Sequence, residues 1–184
     1  MTSILKVDSI QSSSGGLVLP PSGGVIQIKY TQVTATSTHT SGSSLATTAV
    51  TPLNVNITPL STSSTIMLTA GVTGEWGADG PAWDATWFFL RDSTKLSAPV
   101  AGSRNVGVQM GTSASYHAAD ASSTPENAYY TYFDTPSTTS TINYKVAFAE
   151  DGTRTWYLNR TAGDSDAAGY ERGVSFIMAQ EIAQ

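Results

Sequence analysis

The hexapeptide Leu53-Asn54-Val55-Asn56-Ile57-Thr58 alternates apolar and polar residues one by one. Only an extended strand can use that period, because its successive side chains point to opposite faces. Leu53, Val55 and Ile57 are therefore expected to face a core, with Asn54, Asn56 and Thr58 facing outward. Pro59-Leu60-Ser61-Thr62-Ser63-Ser64 turns the chain, after which Ile66, Leu68, Ala70 and Val72 line the next inward face. Further strand-length segments run from Val25 to Val33, Thr86 to Arg91, Asn105 to Met110, Tyr129 to Asp134, Ile142 to Glu150, Arg154 to Asn159 and Gly173 to Ile182. In the Ile142 segment, Ile142, Tyr144, Val146 and Phe148 share a face. Arg91-Asp92-Ser93-Thr94 and Glu150-Asp151-Gly152-Thr153 carry the Asp, Ser and Gly residues that tight hairpins select. No segment sustains a helical period with caps. A chain of 184 residues built this way is one all-β domain, an antiparallel sandwich or barrel.

Two stretches depart from simple alternation. Val25 to Val33 spreads apolar residues over both sides, so that strand is expected to be covered on both faces. Thr34 to Ser44 is hydroxyl-rich and reads as a loop. Ahead of them, residues 1–24 stand apart from the body at 25–184. Ile4 to Ile10 has strand character, yet neither of its faces is apolar enough to fold alone, so it wants a partner. Ser12-Ser13-Ser14-Gly15-Gly16 is a flexible linker by composition, Leu17-Val18-Leu19 a short apolar patch, and Pro20-Pro21-Ser22-Gly23-Gly24 a second breaker.

Charge excludes some partners. The net charge is −5, and nine Lys and Arg residues scatter from Lys6 to Arg172 without forming a patch. Nucleic-acid affinity needs clustered cations that release counterions, so no nucleic-acid partner is expected. No apolar run approaches the roughly 20 residues of a spanning helix, so membrane insertion is not expected either. An apolar signal-peptide core is missing after Lys6, where Asp8, Gln11 and three serines follow. The chain has no cysteine, which leaves burial and oligomerisation to stabilise it.

Candidate chemistry is sparse. The two histidines, His39 and His117, do not assemble a triad, and no Gly-x-Ser-x-Gly elbow occurs. His39 reads as a solvent-exposed loop residue, and His117 could pair only with Asp120. Glu75, Asp79 and Asp84, interleaved with Trp76 and Trp83, are where a glycan would be gripped by ring stacking and polar edges. Paired carboxylates are also what a glycosidase needs. The plainer reading makes Glu75 to Asp84 a loop whose aromatics pin it to the body or to a neighbouring copy. Asp164 and Asp166 have calcium-loop spacing without the following Gly and distal Glu, so they read as a solvated hairpin. Asn56-Ile57-Thr58 and Asn159-Arg160-Thr161 match glycosylation acceptors, triplets that arise by chance. No catalytic residue, metal site or cofactor is expected.

Three passages carry a resemblance. The opening Ile4-Leu5-Lys6-Val7-Asp8-Ser9-Ile10-Gln11 with Gly15-Gly16 resembles the start of many virion proteins of tailed phages, marine ones in particular. Ile57 to Leu68, followed by Phe89-Leu90-Arg91-Asp92-Ser93-Thr94-Lys95-Leu96, resembles the trimeric jelly-roll heads of phage fibres. Asp134-Thr135-Pro136, Thr138-Thr139-Ser140, Tyr144-Lys145-Val146 and Ser175 to Ile182 continue it in order. The resemblance implies a homotrimeric, jelly-roll-like sandwich on the particle surface, a tail- or head-attached fibre tip, knob or decoration made in the host cytoplasm. It implies anchoring to another virion protein through Ile4, Leu5, Val7, Ile10, Leu17, Val18 and Leu19. The absence of shaft repeats favours a compact knob, short spike or decoration over a long fibre. A receptor-binding module that reads host glycan through Glu75, Trp76, Asp79, Trp83 and Asp84 is the alternative, and a small glycan-cleaving enzyme the third.

Overall fold

The computed structural model describes residues 22–42, 45–77, 84–114 and 122–184. Among them every regular element is a strand, in chain order β1 (Val25–Val33), β2 (Ser37–Thr40), β3 (Thr48–Ile57), β4 (Thr65–Trp76), β5 (Thr86–Arg91), β6 (Thr94–Leu96), β7 (Gln109–Met110), β8 (Ser113–Ala114), β9 (Glu126–Asp134), β10 (Ile142–Ala149), β11 (Thr155–Leu158) and β12 (Ser175–Ile182). They form two antiparallel sheets packed as a sandwich. In the first, β1, β12, β4 and β9 lie side by side, with β11 and β2 continuing beyond β12 and β1 along the distal part of β4, and β8 outside β9. The second runs β3, β10, β5, β6, with β7 also against β5.

Alternation explains the core. Leu53, Val55 and Ile57 of β3, Ile66, Leu68, Ala70 and Val72 of β4, and Ile142, Tyr144, Val146 and Phe148 of β10 are all buried between the sheets, as their period demands. Pro52 is tolerated in β3 because that strand is an edge, and the register slips from Lys145 opposite Asn54 to Ala147 opposite Ala49 around it. The β5–β6 hairpin turns through Asp92 and Ser93, with Asp92 at φ 54°, the positive dihedral that a two-residue connection needs. At the same end, Asp134 ties the sheets together. It accepts from Arg91 of the second sheet at 2.9 Å and from the buried Tyr144 hydroxyl at 2.6 Å. Burial first, and that hydrogen bond next, push the Tyr144 phenol well above its ordinary pKa.

Four sequence expectations are corrected. The stretch expected as a loop contains β2, and His39 is only 9% exposed there, opposite Trp156 of β11. Residues 150–153 do not make a hairpin, because β10 and β11 belong to different sheets and the chain crosses between them. Of Asn105 to Met110, only Gln109 and Met110 pair as a strand. The breaker at 20–24 is partly docked, since Gly23 N–H donates to Ala183 O at 2.7 Å and Ala183 N–H to Gly24 O at 2.9 Å.

His39 leads to a prediction. Its Nε2 is hydrogen-bonded to Ser37 Oγ at 2.7 Å, and burial lowers its pKa. The folded state therefore takes up a proton less readily than the unfolded chain. The stability of the neutral ring is full above the ordinary histidine pKa and is lost as pH falls through the lowered folded value. Among the described residues β2 pairs only with β11, so acidification should speed amide exchange at residues 37–40 ahead of the central strands. In His39→Gln that extra acid sensitivity should vanish; identical pH profiles in the two proteins would refute the assignment.

Candidate functional site

The strand directions give the body two ends. Val25, Ile182 and Thr65 lie side by side at one, together with turns 58–64, 92–93 and 135–141. Residues 22–24 and 183–184 emerge there, and we call it proximal. β4 runs away from it, and Thr40, Trp76 and Ala149, the last residues of β2, β4 and β10, mark the distal end.

Of the segment expected to read a receptor, Glu75 and Trp76 sit toward the distal end, and both have other employment. The Trp76 side chain is 1% exposed, because the inward period of Ile66 to Val72 continues through Gly74 to reach it. Its ring packs against Trp156 at 5.1 Å, Phe148 at 5.0 Å and Trp87 at 5.9 Å, largely edge to face. With both faces enclosed it offers no stacking platform, and it belongs to β4 rather than to a loop. Gly74 is what lets β4 approach β11 here, since a Cβ would fall 2.1 Å from Tyr157 O. Glu75 is fully buried on the other side of β4. Its carboxylate accepts from Thr124 N–H at 3.0 Å and Ala162 N–H at 2.5 Å, clamping two loops. Glu126 does similar work, accepting from Trp76 N–H at 3.3 Å and from the Thr112 hydroxyl.

Asp84 is exposed and lines an open distal groove of about 520 Å³ with Thr86, Arg104, Asn105 and the protruding Met110. Asn105 braces it, donating to Asp84 O at 2.7 Å and Ala149 O at 3.0 Å. Asp79 and Trp83 lie outside the described residues, as do His117 and Asp120 and the anchoring set Ile4, Leu5, Val7, Ile10, Leu17, Val18 and Leu19. A smaller hollow of about 170 Å³ beside Thr73 and Pro125 is lined by Arg160 and Arg172. Both guanidinium groups are engaged. Arg160 donates to Thr161 O and Ala162 O and lies over the Tyr157 ring, and Arg172 pairs with Asp164. That pairing also accounts for Asp164, half of the expected solvated hairpin. No group of three metal-ligating side chains occurs among the described residues.

Sequence reasoning missed the largest feature, the outer face of the first sheet. Opposed residues in an antiparallel pair share a face, so the register builds rows across β1, β12, β4 and β9. One row is Ile28, Gln180, Met67 and Phe133. The next is Tyr30, Met178, Thr69 and Thr131, with Thr69 and Thr131 hydroxyls 3.3 Å apart. A third is Gln32, Phe176, Gly71 and Tyr129, where the Phe176 ring lies over Gly71 in the space a Cβ would take. None of these residues is charged. Tyr30 is 71% exposed, Tyr129 63% and Phe133 59%. The expectation that Val25 to Val33 is covered on both faces is thus unmet within one chain, where its outer side is open and its inner side is buried only at Val33. Apolar residues on both sides of β1 and β9 were the available signal.

The sequence matches no protein-family model and no curated protein.

Proposed function

We propose that this chain is a structural protein of a tailed-phage virion. In this reading it is a homotrimeric jelly-roll appendage, a knob, short spike, fibre tip or decoration on head or tail. Residues 1–21 hold it to another virion protein, and the body that follows is displayed outward. The observation that carries the reading is the polarity of the body. The described chain enters at the proximal end beside Val25, and Thr40, Trp76 and Ala149, where β2, β4 and β10 end, gather at the opposite end, so an anchor and a display surface would point in opposite directions. The order β1, β12, β4, β9 facing β3, β10, β5, β6 supports the jelly roll, because the chain crosses between the sheets from β3 to β4, β4 to β5, β9 to β10 and β10 to β11. No catalysis is assigned.

A density map of the intact particle tests this directly. The chain should appear on the surface with its proximal end toward the shell or tail; absence from the particle, or distal loops buried inward, would sink the proposal. Glycan recognition is a second reading, favoured by the distal position of the Asp84 groove. Under it, Asp84→Ala with Arg104→Ala should abolish host adsorption while leaving assembly intact, and unchanged adsorption would leave display as the whole function.

A further inference from the structure

We infer that the outer face of the first sheet is the surface through which copies of this chain pack on one another. Four of the nine large apolar side chains exposed among the described residues, Ile28, Tyr30, Tyr129 and Phe133, sit on it. A monomer rarely leaves so contiguous a patch uncovered. The patch also lies beside β1, a nine-residue edge strand without proline, which is the kind of edge that natural sheets shield.

Charge selects the occupant. The chain carries 14 acidic and 9 basic residues for a net −5, so two copies repel unless their contact is free of charge. The rows across β1, β12, β4 and β9 are charge-free, and their hydroxyl and amide groups can both donate and accept. A face of this chemistry complements itself; it offers nothing to pair with a charged partner. Polarity adds the symmetry. A rotation axis along the strands brings every proximal end, and so every copy of residues 1–21, to one side of the assembly. An axis across the strands would send the anchors in opposite directions. The inference rests on the proposed homotrimer for the number of copies alone.

Because the chain has no cysteine, a single introduced thiol reports on one position. Thr131 lies on the face and Asn56 on the outside of the opposite sheet, both exposed in one chain. Sedimentation of the full chain should give three times 19.3 kDa, and Tyr30→Asp with Phe133→Asp should reduce it to one. In the assembly, Thr131→Cys should react with a maleimide at least tenfold more slowly than Asn56→Cys, which keeps the test valid if the aspartate variant fails to fold. A trimer whose mass survives both aspartates and whose position 131 reacts freely overturns the face while sparing the homotrimer. A dimer with position 131 protected sustains the face and removes the threefold. A single-chain mass overturns the inference: with position 131 protected it shows the chain's own residues 1–21 as the cover, and with that position reactive the homotrimer falls as well.

Discussion

Replacing Asn159 with alanine is expected to remove a large part of the stability of the body. Asn159 closes β11, is fully buried, and sits at φ 59°, a left-handed backbone that Asn tolerates better than Ala. Its side chain is a three-way connector. Nδ2 donates to Val33 O at 2.7 Å and Ala35 O at 2.9 Å, holding the end of β1, and Oδ1 accepts from Ser175 Oγ at 2.6 Å at the start of β12. Its backbone N–H donates to Thr73 O at 2.8 Å, and its carbonyl accepts from Gly173 N–H at 3.0 Å. Alanine would keep the backbone bonds and strip the three side-chain ones. Each buried polar group left unsatisfied costs about 1–3 kcal/mol, and the left-handed backbone adds about 1 kcal/mol for alanine. The sum, about 4 kcal/mol, is a large share of the roughly 5–15 kcal/mol that holds a domain together. Asn159→Asp should be as damaging, since it points an acceptor at two carbonyls. Asn159→Gly should recover only the backbone part, about 1 kcal/mol. Urea midpoints of the three variants measure this; a change below about 0.5 kcal/mol in Asn159→Ala would refute the connector role. The burial also means that Asn159-Arg160-Thr161 cannot serve as a glycosylation acceptor in the folded chain.

How much of this was legible follows from what periodicity can encode. β3, β4, β5 and β10 were readable because their inward residues are large and apolar, and the bounds of β1 and β5 came out residue for residue. β2 was not, since Ser37-Thr38-His39-Thr40 contains no apolar residue and owes its strand form to pairing with Thr155 to Leu158. Tertiary pairing outweighed local pattern there. The burial of Trp76 was legible in principle, because two more steps of the Ile66, Leu68, Ala70, Val72 period land on it. Its spacing from Trp83 and from the carboxylates drew attention to a loop instead. The self-complementary face was hidden for the opposite reason. Tyr129-Tyr130-Thr131-Tyr132-Phe133 is aromatic on both sides, so alternation cannot tell the core side from the outer side until the register with β4 is known. The role of Asn159 depends on the backbone carbonyls of Val33 and Ala35 at the end of β1 and just after it, more than a hundred residues away, which no local pattern announces.

Removing residues 1–21 is expected to abolish incorporation into particles while leaving the β-body folded and assembled. The cut falls there because Gly23 and Gly24 already belong to the body: they exchange backbone hydrogen bonds with Ala183, and the β1 to β12 ladder continues from Val25 opposite Ile182. Removing residues 1–24 instead would take away that first pairing and confuse anchoring with fraying. Ahead of the cut, Ile4 to Ile10 alternates without a face apolar enough to bury in its own chain. A segment of that kind gains stability by adding to a partner's sheet edge, where backbone pairing supplies affinity and alternate apolar residues set the register. By composition Ser12 to Gly16 would then be a spacer, letting tails from the proposed symmetric assembly meet a docking site of another symmetry. The truncated chain should keep the number of copies in the full chain's assembly and its melting temperature within about 2 °C, because every core residue among the described residues is retained. Incorporation, read by quantifying the chain in purified particles from a complemented infection, should fall to background. A second truncation lacking only residues 1–11 separates the two halves of the anchor. If Ile4 to Ile10 does the pairing, it should fail as completely as the longer one; if it incorporates normally, Leu17-Val18-Leu19 carries the attachment. Normal incorporation of the chain lacking residues 1–21 would place the attachment on the β-body itself, and failure of that chain to fold would make the opening part of the core.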